Sequence, residues 1–418
     1  MEYIFYLLFA IFLILAIRHK EHFILILPIF NIVMDASFSV FESLSVSTYM
    51  RPLIYFILFY YFRKHLFKIT WYKPIYIFLT FSFVLVVFSS EFFHSFKAYL
   101  QVFLSMMIGV IGFVYFDSRE KIANLAKMLI ICLAISSIMA FLGYAFGIGR
   151  VLEYTIFSDE LEDESVGLLG SSGMYSASFI IGVTPFLLSY INKMRLKYFG
   201  IALAIITFIF ILLNVRRTAI LIPIAGLVVY AFYIPNKGKI MTGLFFSLIL
   251  MLALSPIYTD KLMERFNFRQ EQGRFDSDFY KTEGRFYETT IVYEEIMSFE
   301  DPILSLFGER IFASGWIDSE KQPRMLHSDP AVLIYGAGII GFIIYILIYF
   351  KLFSLIPLGL TNNKFIGTLK GAFYTVIFIS LMASLNGSIL LMSLRSLIFL
   401  FLGLIYRQYL MYKVKINP

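Results

Sequence analysis

Two adjacent arginines stand where one long apolar segment ends and the next begins, in the stretch Asn214-Val-Arg-Arg-Thr. A guanidinium group binds phosphate through two parallel hydrogen bonds, so Arg216 and Arg217 form a candidate site for an anionic phosphate group. They could instead be interfacial anchors whose long side chains reach water. Their predicted place is the side of a membrane that Lys and Arg usually avoid, which favours a bound anion over simple anchoring.

Three more arginines extend this candidate phosphate site. Arg285 follows Gly284 at the start of a predicted amphipathic helix, and Arg274 lies earlier in the same polar segment. Each of these two could equally be a solvated surface charge. Arg395 lies inside a later apolar segment, and a charge at the centre of a membrane costs about 2.5–3.5 kcal/mol. Its partner is therefore expected to be a backbone carbonyl, an acidic side chain or a lipid phosphate.

A histidine and an aspartate lie two residues apart just before another apolar segment, in His327-Ser-Asp-Pro. Histidine changes its protonation near neutral pH and is well suited to moving protons in catalysis. A lone histidine is more often a hydrogen-bonded structural residue, but pairing with Asp329 makes a catalytic role an equal alternative. The sequence thus offers His327 and Asp329 as candidate catalytic groups.

Several other kinds of chemistry lack their signature residues. The chain has no GxxxxGK[ST] phosphate loop, no HExxH motif and one cysteine, Cys132, so no nucleotide hydrolysis, zinc site or disulfide framework is expected. Asp276-Ser-Asp278 is interpreted as a chance match to the DxD pattern of nucleotide-sugar transferases, because it falls on the predicted external side. The acidic cluster 159–164 could hold a divalent cation, but it is interpreted as a solvated loop. Neither a metal nor a cofactor is predicted.

The composition indicates that a membrane protein positions these residues. Of 418 residues, 60% are hydrophobic and only 15% are charged, whereas a soluble domain is about half apolar and a quarter charged. A helix needs about 20 mostly apolar residues to cross a bilayer. The candidate segments are 2–17, 22–34, 50–62, 74–90, 98–116, 125–148, 172–191, 198–213, 218–235, 239–256, 330–350, 367–385 and 389–406. The predicted fold is an all-α, polytopic transmembrane helix bundle of about 12–14 spans, whose first span is retained rather than cleaved as a signal peptide.

The distribution of charge predicts the orientation of the bundle. The polar segments 18–22, 63–73, 117–127, 192–197, 236–239, 351–370 and 407–418 alternate with the others and hold 20 basic but only three acidic residues. The other side holds 14 basic and 25 acidic residues. Because Lys and Arg are enriched in cytoplasmic loops, these segments and the C-terminus are predicted to be cytoplasmic. The net charge of +7 is therefore an orientation signal, and no nucleic-acid partner is predicted.

Three regions follow one another along the chain: ten spans over 1–256, a large external loop over 257–329, and C-terminal spans with a cytoplasmic tail over 330–418. The loop is far longer than the usual connection of about 4–6 residues and is a natural place for a site. After Gly284, apolar and aromatic residues recur at helical spacing until Asp301-Pro302. This pattern predicts a short amphipathic helix at the membrane surface, so the loop is expected to be partly helical.

These pieces resemble the O-antigen ligase and O-antigen polymerase (Wzy-type) superfamily in their order, spacing and predicted sidedness. The resemblance covers residues 214–341, and the spans before that region match only in general character. The matching motifs are Asn214-Val-Arg-Arg-Thr-Ala, Glu283-Gly-Arg-Phe, Asp301-Pro-Ile-Leu…Gly308, His327-Ser-Asp-Pro and Tyr335-Gly-Ala-Gly-Ile-Ile-Gly341.

The resemblance implies a metal-independent glycosyltransferase of the bacterial inner membrane. It would move a growing glycan from undecaprenyl diphosphate to the terminal sugar of a lipid-linked repeat unit, on the external, periplasmic face. Membrane lipids and a chain-length regulator would be further partners. Fixed guanidinium groups stabilise the charge that a leaving diphosphate gains. The arginines assigned to that role are Arg216, Arg217, Arg285, Arg274 and Arg395.

The resemblance also assigns the proton chemistry, with an alternative. His327 would act as the base toward the acceptor hydroxyl or would position it. Ligase-like members often have Asn directly after this His, whereas Ser328 and Asp329 follow here, which makes Asp329 an alternative base. A ligase that passes the glycan to a lipid core or a protein is the first alternative function. A flippase is the second, and it is disfavoured because no pair of Gly- or Pro-broken helices matches between the two halves.

Overall fold

The computed structural model describes residues 2–38, 46–146, 151–152, 164–165, 168–214, 217–235, 237–253, 255–256, 259, 263, 267, 292–309, 311–312, 326, 328–385 and 387–416. Within these residues the chain is an all-α, polytopic helix bundle, which confirms the predicted fold class. The first ten helices are α1 (Glu2–Arg18), α2 (Lys20–Phe38), α3 (Val46–Phe62), α4 (Lys73–Phe88), α5 (Phe92–Tyr115), α6 (Arg119–Phe146), α7 (Gly170–Leu188), α8 (Met194–Leu213), α9 (Arg217–Tyr233) and α10 (Gly238–Ala253). The later ones are α11 (Pro302–Phe307), α12 (Asp329–Leu355), α13 (Lys364–Ser384) and α14 (Met392–Ile416).

Three short elements complete the described structure. A 3₁₀ turn, Thr70–Tyr72, leads into α4, and a five-residue π-helix, Tyr293–Met297, precedes α11. Two strands of two residues, β1 (Val151–Leu152) and β2 (Glu164–Ser165), pair antiparallel between α6 and α7. The π-helix lies within the predicted amphipathic stretch of the large loop, most of which lies outside the described residues.

Each apolar segment identified in the sequence contains a helix, namely α1 to α10 and α12 to α14. Seven stretches of the described chain are long and apolar enough to cross a membrane: Thr70–Phe88, Phe92–Tyr115, Arg119–Gly143, Met194–Leu213, Asp329–Leu355, Lys364–Ser384 and Met392–Lys413. Four shorter apolar helices accompany them: Tyr3–Arg18, Met50–Phe62, Ser172–Leu188 and Thr218–Tyr233. The protein is therefore a multi-pass membrane protein, while the count of about 12–14 spans stays a prediction.

The last helix, α14, contacts α2, α5, α7 and α13. Its packing against α5 is close because glycines face each other. A Cβ on Gly403 would lie 2.1 Å from the carbonyl oxygen of Gly109, and one on Gly112 would lie 2.4 Å from that of Leu400. Small residues permit such close backbone contact in membranes, where van der Waals packing drives helix association. The C-terminal helices thus pack into the first ten.

Contacts between helix ends define two ends of the bundle. Arg119 donates a hydrogen bond to the carbonyl of Ser189 over 3.4 Å, and Gln408 donates one to the carbonyl of Phe116 over 2.8 Å. The contacting residues lie in or directly beside polar segments predicted to be cytoplasmic, and we call this end the basic end. The large loop, 257–329, joins helices at the opposite end. That the basic end faces the cytoplasm remains the prediction from charge.

Candidate functional site

An ion pair between Asp329 and Arg395 is buried at the opposite end of the bundle. Asp329 is the first residue of α12 and 0% exposed, and Arg395, in the first turn of α14, is 3% exposed. Nη2 of Arg395 donates to Oδ2 of Asp329 over 3.3 Å. Asp329 also accepts hydrogen bonds from the backbone N–H of Ile389 at 2.6 Å and from the hydroxyl of Ser388 at 3.1 Å. The carboxylate therefore ties the start of α12 to the turn before α14.

Local sequence explains why α12 begins at this point. The hydroxyl of Ser328 accepts a hydrogen bond from the backbone N–H of Ala331 over 3.2 Å and so caps the first turn. Pro330 occupies a first-turn position, where the missing N–H costs nothing. Leu326 and Ser328 flank His327 in sequence, and His327 itself lies outside the described residues.

The geometry favours an anchoring role for the Asp329–Arg395 pair. Of the three partners that the sequence left open for Arg395, the structure contains the acidic side chain. A fully buried carboxylate that already accepts these hydrogen bonds has no open approach for a sugar hydroxyl, so Asp329 is better placed to position the chain than to take a proton. Nη1 of Arg395 is buried without a hydrogen-bond partner among the described residues. The catalytic and diphosphate-binding roles of the two residues stay predictions.

A second buried ion pair joins α2 to α3. Nη2 of Arg51 lies 2.8 Å from Oδ1 of Asp35, and the two residues are 8% and 5% exposed. Arg51 also donates to the backbone carbonyl of Asn31 over 3.3 Å. Sequence reasoning missed this pair, although the signal was present. Arg51 stands inside the predicted span 50–62, so the cost of an intramembrane charge that singled out Arg395 applies to it equally.

The two ion pairs are connected through consecutive residues of α14. Ser396 follows Arg395, and its hydroxyl lies 2.6 Å from that of Tyr55 on α3. Tyr55 in turn is hydrogen-bonded to the side chain of Asn31, with Asn31 Nδ2 donating to its hydroxyl over 2.9 Å. Arg51 reaches the same Asn31 through its backbone. The two buried ion pairs thus belong to one polar network at the opposite end, which we call the anchor network: Asn31, Asp35, Arg51, Tyr55, Asp329, Arg395 and Ser396.

A row of hydroxyl groups continues from the anchor network between α12 and α13. The hydroxyl of Tyr345 donates to Asp329 over 3.5 Å and lies 3.2 Å from that of Tyr349, one turn further along α12. Tyr349 lies 2.9 Å from Ser380, and both tyrosines lie 3.3 Å from Ser384. Hydroxyls that satisfy one another in this way can be buried between apolar helices at little cost.

Helix α12, which contains the predicted span 330–350, is interrupted at Gly338. Gly338 has φ of +64° and ψ of −173°, a backbone conformation nearly restricted to glycine. The end of α11 fills the break: a Cβ on Gly338 would lie 2.3 Å from the carbonyl carbon of Leu306. Gly308, with φ of +76°, is equally tight against the backbone of Ala337 at 2.5 Å. A segment of the large loop is therefore docked into a broken transmembrane helix.

Replacing Gly338 with alanine is expected to loosen this docking. The conformation costs about 1–3 kcal/mol for a residue with a side chain, and the added Cβ would overlap the backbone of Leu306 at 2.3 Å. Faster protease cleavage within residues 300–310, measured on purified protein, would report the release of α11. Gly359→Ala is the matched control, since a Cβ there meets nothing within 4 Å. Equal cleavage rates in the two variants would contradict the docking.

Glu309 holds the docked segment from its other side. Its backbone N–H donates to the carbonyl of Tyr335 over 3.0 Å, and the hydroxyl of Tyr335 donates to its Oε2 over 2.7 Å. Glu295 on the π-helix meets the same tyrosine. Although Glu295 is exposed, partial desolvation of its carboxyl raises its pKa, the hydrogen bond from Tyr335 opposes that rise, and the nearby carboxylates of Glu309 and Glu294 add to it. Ionised Glu295 therefore works against the folded arrangement.

Glu295→Gln is expected to stabilise the docked segment at neutral pH and to have little effect in acid. A carboxyl whose folded pKa is raised favours folding only below its unfolded pKa, and that contribution is lost as pH rises through the folded pKa. Thermal unfolding of both proteins at acidic and neutral pH checks the sign. The exposed Glu300, changed to Gln, is the control. A variant that is less stable than wild type at neutral pH would show that the charge is favourable.

The structure describes only some of the residues assigned from sequence. Asp329 and Arg395 come together as an ion pair. Arg217 is the first residue of α9, and nothing beyond its backbone is described. The other assigned residues, which are Arg216, Arg274, Arg285 and His327, lie outside the described residues. Among the residues that are described, no three His, Cys, Asp or Glu side chains come together as metal ligands.

Comparison with known proteins adds no relatives. No protein-family model matches the chain, and no curated protein matches it.

Proposed function

We propose that this protein is a polysaccharide polymerase, which transfers a growing glycan from undecaprenyl diphosphate to the terminal sugar of a lipid-linked repeat unit. The observation that carries the proposal is the anchor network, which buries two ion pairs at the end of the bundle where the large loop attaches. Removing such charges from water costs several kcal/mol per ion, and ionisable groups within a membrane usually serve a function. The network supports the proposal because it fixes the start of α12, directly after the candidate base His327.

The proposed reaction balances without a metal or a nucleotide. The hydroxyl oxygen of the acceptor sugar attacks the anomeric carbon of the donor glycan, and the bond from that carbon to the diphosphate oxygen breaks. The lipid diphosphate leaves with the electron pair, and the hydroxyl proton passes to His327. Arg216, Arg217 and Arg285 stabilise the charge that develops on the diphosphate, where fixed guanidinium groups need no reorganisation. Asp329 and Arg395 act through the placement of α12.

A transporter is the second candidate, and the broken helix α12 favours it. Transporters commonly bind substrate at helices that are interrupted near the middle of the membrane. Gly338 is nine residues into α12, about 14 Å at 1.5 Å per residue. Two observations favour the polymerase instead. The break is filled by α11, and non-helical backbone within a span occurs at Gly338 alone among the described helices, with no counterpart in the other half.

Reconstituted activity tests the proposal. Purified protein in nanodiscs receives undecaprenyl-diphosphate-linked repeat units from the same cell, with no metal or nucleotide added, and the products are separated on a gel. A ladder spaced by one repeat is the expected result. Folded protein that yields no ladder, but attaches glycan to an added lipid-core acceptor, would make it a ligase. Movement of the lipid-linked unit across the bilayer without any new linkage would make it a transporter.

A further inference from the structure

A groove of about 570 Å³ opens on the outer surface of the bundle between α9, α12 and α13. It lies far from the anchor network, toward the basic end. Val228, Phe232 and Phe378 form exposed apolar walls. The floor is aromatic, with the rings of Tyr233 and Tyr374 stacked 4.9 Å apart. Because these walls face outward within a membrane-spanning part of the chain, hydrocarbon rather than water meets the groove.

A lysine stands at the mouth of this groove. Lys237 follows α9 and is the one charged residue among the described residues that line it. Its ammonium group lies 5.4 Å from the ring centre of Phe232, so the side chain reaches back along the groove rather than away from it. The apolar lining continues inward from Tyr233 to Val228, about 7.5 Å at the rise of an α-helix. A positive mouth above an apolar groove matches an anionic headgroup above its acyl chain.

We propose that this groove binds an anionic phospholipid, with one acyl chain lying along the groove and the headgroup phosphate on Lys237. Basic pockets between transmembrane helices bind anionic lipid headgroups in this way. Stacked aromatic rings give the chain a rigid apolar surface to pack on, at no cost in side-chain ordering. The site is independent of the proposed polymerase reaction, because it contains none of the residues assigned to that reaction.

Native mass spectrometry of the full-length protein in detergent tests the site. The probes are phosphatidylglycerol and phosphatidylcholine with identical chains, added at equal concentration. Wild type is expected to retain phosphatidylglycerol about five-fold more than phosphatidylcholine. This is the preference that one lysine gives for a lipid of net negative charge over a lipid of no net charge. Lys237→Gln is expected to remove that preference, and Val228→Trp, which fills the channel, to reduce retention of both lipids. Controls are Lys193→Gln at the same end and Ile205→Trp on the lipid-facing side of α8.

Each outcome of this experiment decides the proposal. Loss of preference in Lys237→Gln but not in Lys193→Gln, with loss of retention in Val228→Trp but not in Ile205→Trp, supports it. An unchanged lipid ratio in Lys237→Gln, or unchanged retention in Val228→Trp, overturns it. Undecaprenyl phosphate that displaces phosphatidylglycerol in wild type and fails to bind Val228→Trp would assign the groove to a polyprenyl tail instead, and would also overturn it.

Discussion

Replacing Asp329 with alanine is expected to destabilise the folded protein by about 3–5 kcal/mol, because it leaves a buried cation without its partner. Arg395 is 3% exposed and loses the acceptor of its Nη2 group. The backbone N–H of Ile389 and the hydroxyl of Ser388 lose their acceptor at the same time. Because Arg395 is buried, the cost falls on the fold.

Two further variants separate the charge from the hydrogen bonds. Asp329→Asn keeps the shape and one carbonyl oxygen that can accept from Ile389, but removes the negative charge. Arg395→Met removes the buried cation and fills much of its volume. The double variant is expected to recover most of the stability that Asp329→Asn loses, because neither charge is then left unpaired. Recovery in the double variant would show that the two charges are energetically coupled and that neither is needed for folding.

Thermal unfolding in a single detergent, read together with the size-exclusion profile, measures these effects. Glu300→Ala is the control for removal of an acidic residue, since Glu300 is exposed and lies on the same side of the bundle. An Asp329→Ala protein that unfolds at the temperature of wild type would contradict the anchoring role. It would also leave the burial of Asp329 and Arg395 without a structural explanation.

The helices could be predicted because the signal for them is local. An apolar run of bilayer length leaves the backbone little choice but a helix, and segments such as 2–17 and 74–90 match α1 and α4 closely. The start of α12 was predictable for a similar reason, since Pro330 fixes a first-turn conformation. An apolar segment does not, however, indicate which other helices its own helix will contact.

The site was less predictable because its contacts join distant parts of the chain. Tyr55 and Ser396 are 341 residues apart in sequence, and neither is an unusual residue in an apolar segment. The break at Gly338 depends on α11 being docked against it. The glycine-rich sequence allows such a break but does not by itself predict one. Arg51 is the exception, because the cost of its burial could have been inferred from sequence.

Changes in the anchor network are expected to affect the stability and the activity of the protein together. Four helices meet in it, α2, α3, α12 and α14, so a change in either ion pair is expected to alter the placement of the start of α12. Variants of Arg51 or Asp35 are therefore expected to lower stability and activity together. Replacing a residue that acts in the chemical step should lower activity and leave stability unchanged. This difference identifies the base.

His327→Ala is expected to lower the rate of chain extension by about 10²–10⁴-fold, the usual contribution of a general base, while the unfolding temperature stays that of wild type. The wild-type rate should rise as the pH is raised from acid, since the imidazole must be neutral to accept the hydroxyl proton. His327→Ala should lose that dependence. The rate is measured from the initial appearance of the two-repeat product with saturating lipid-linked substrate.

Arg285→Ala distinguishes loss of leaving-group stabilisation from loss of the base. It is expected to slow extension as well, but to retain the rise with pH, because the ionisation of His327 is untouched. Asp329→Asn in the Arg395→Met background supplies the remaining comparison. If that folded double variant loses both activity and the pH dependence while His327→Ala keeps them, Asp329 is the base and the anchoring interpretation fails. If His327→Ala alone loses both, the ion pair serves to hold the histidine-bearing end of α12 in place for the reaction.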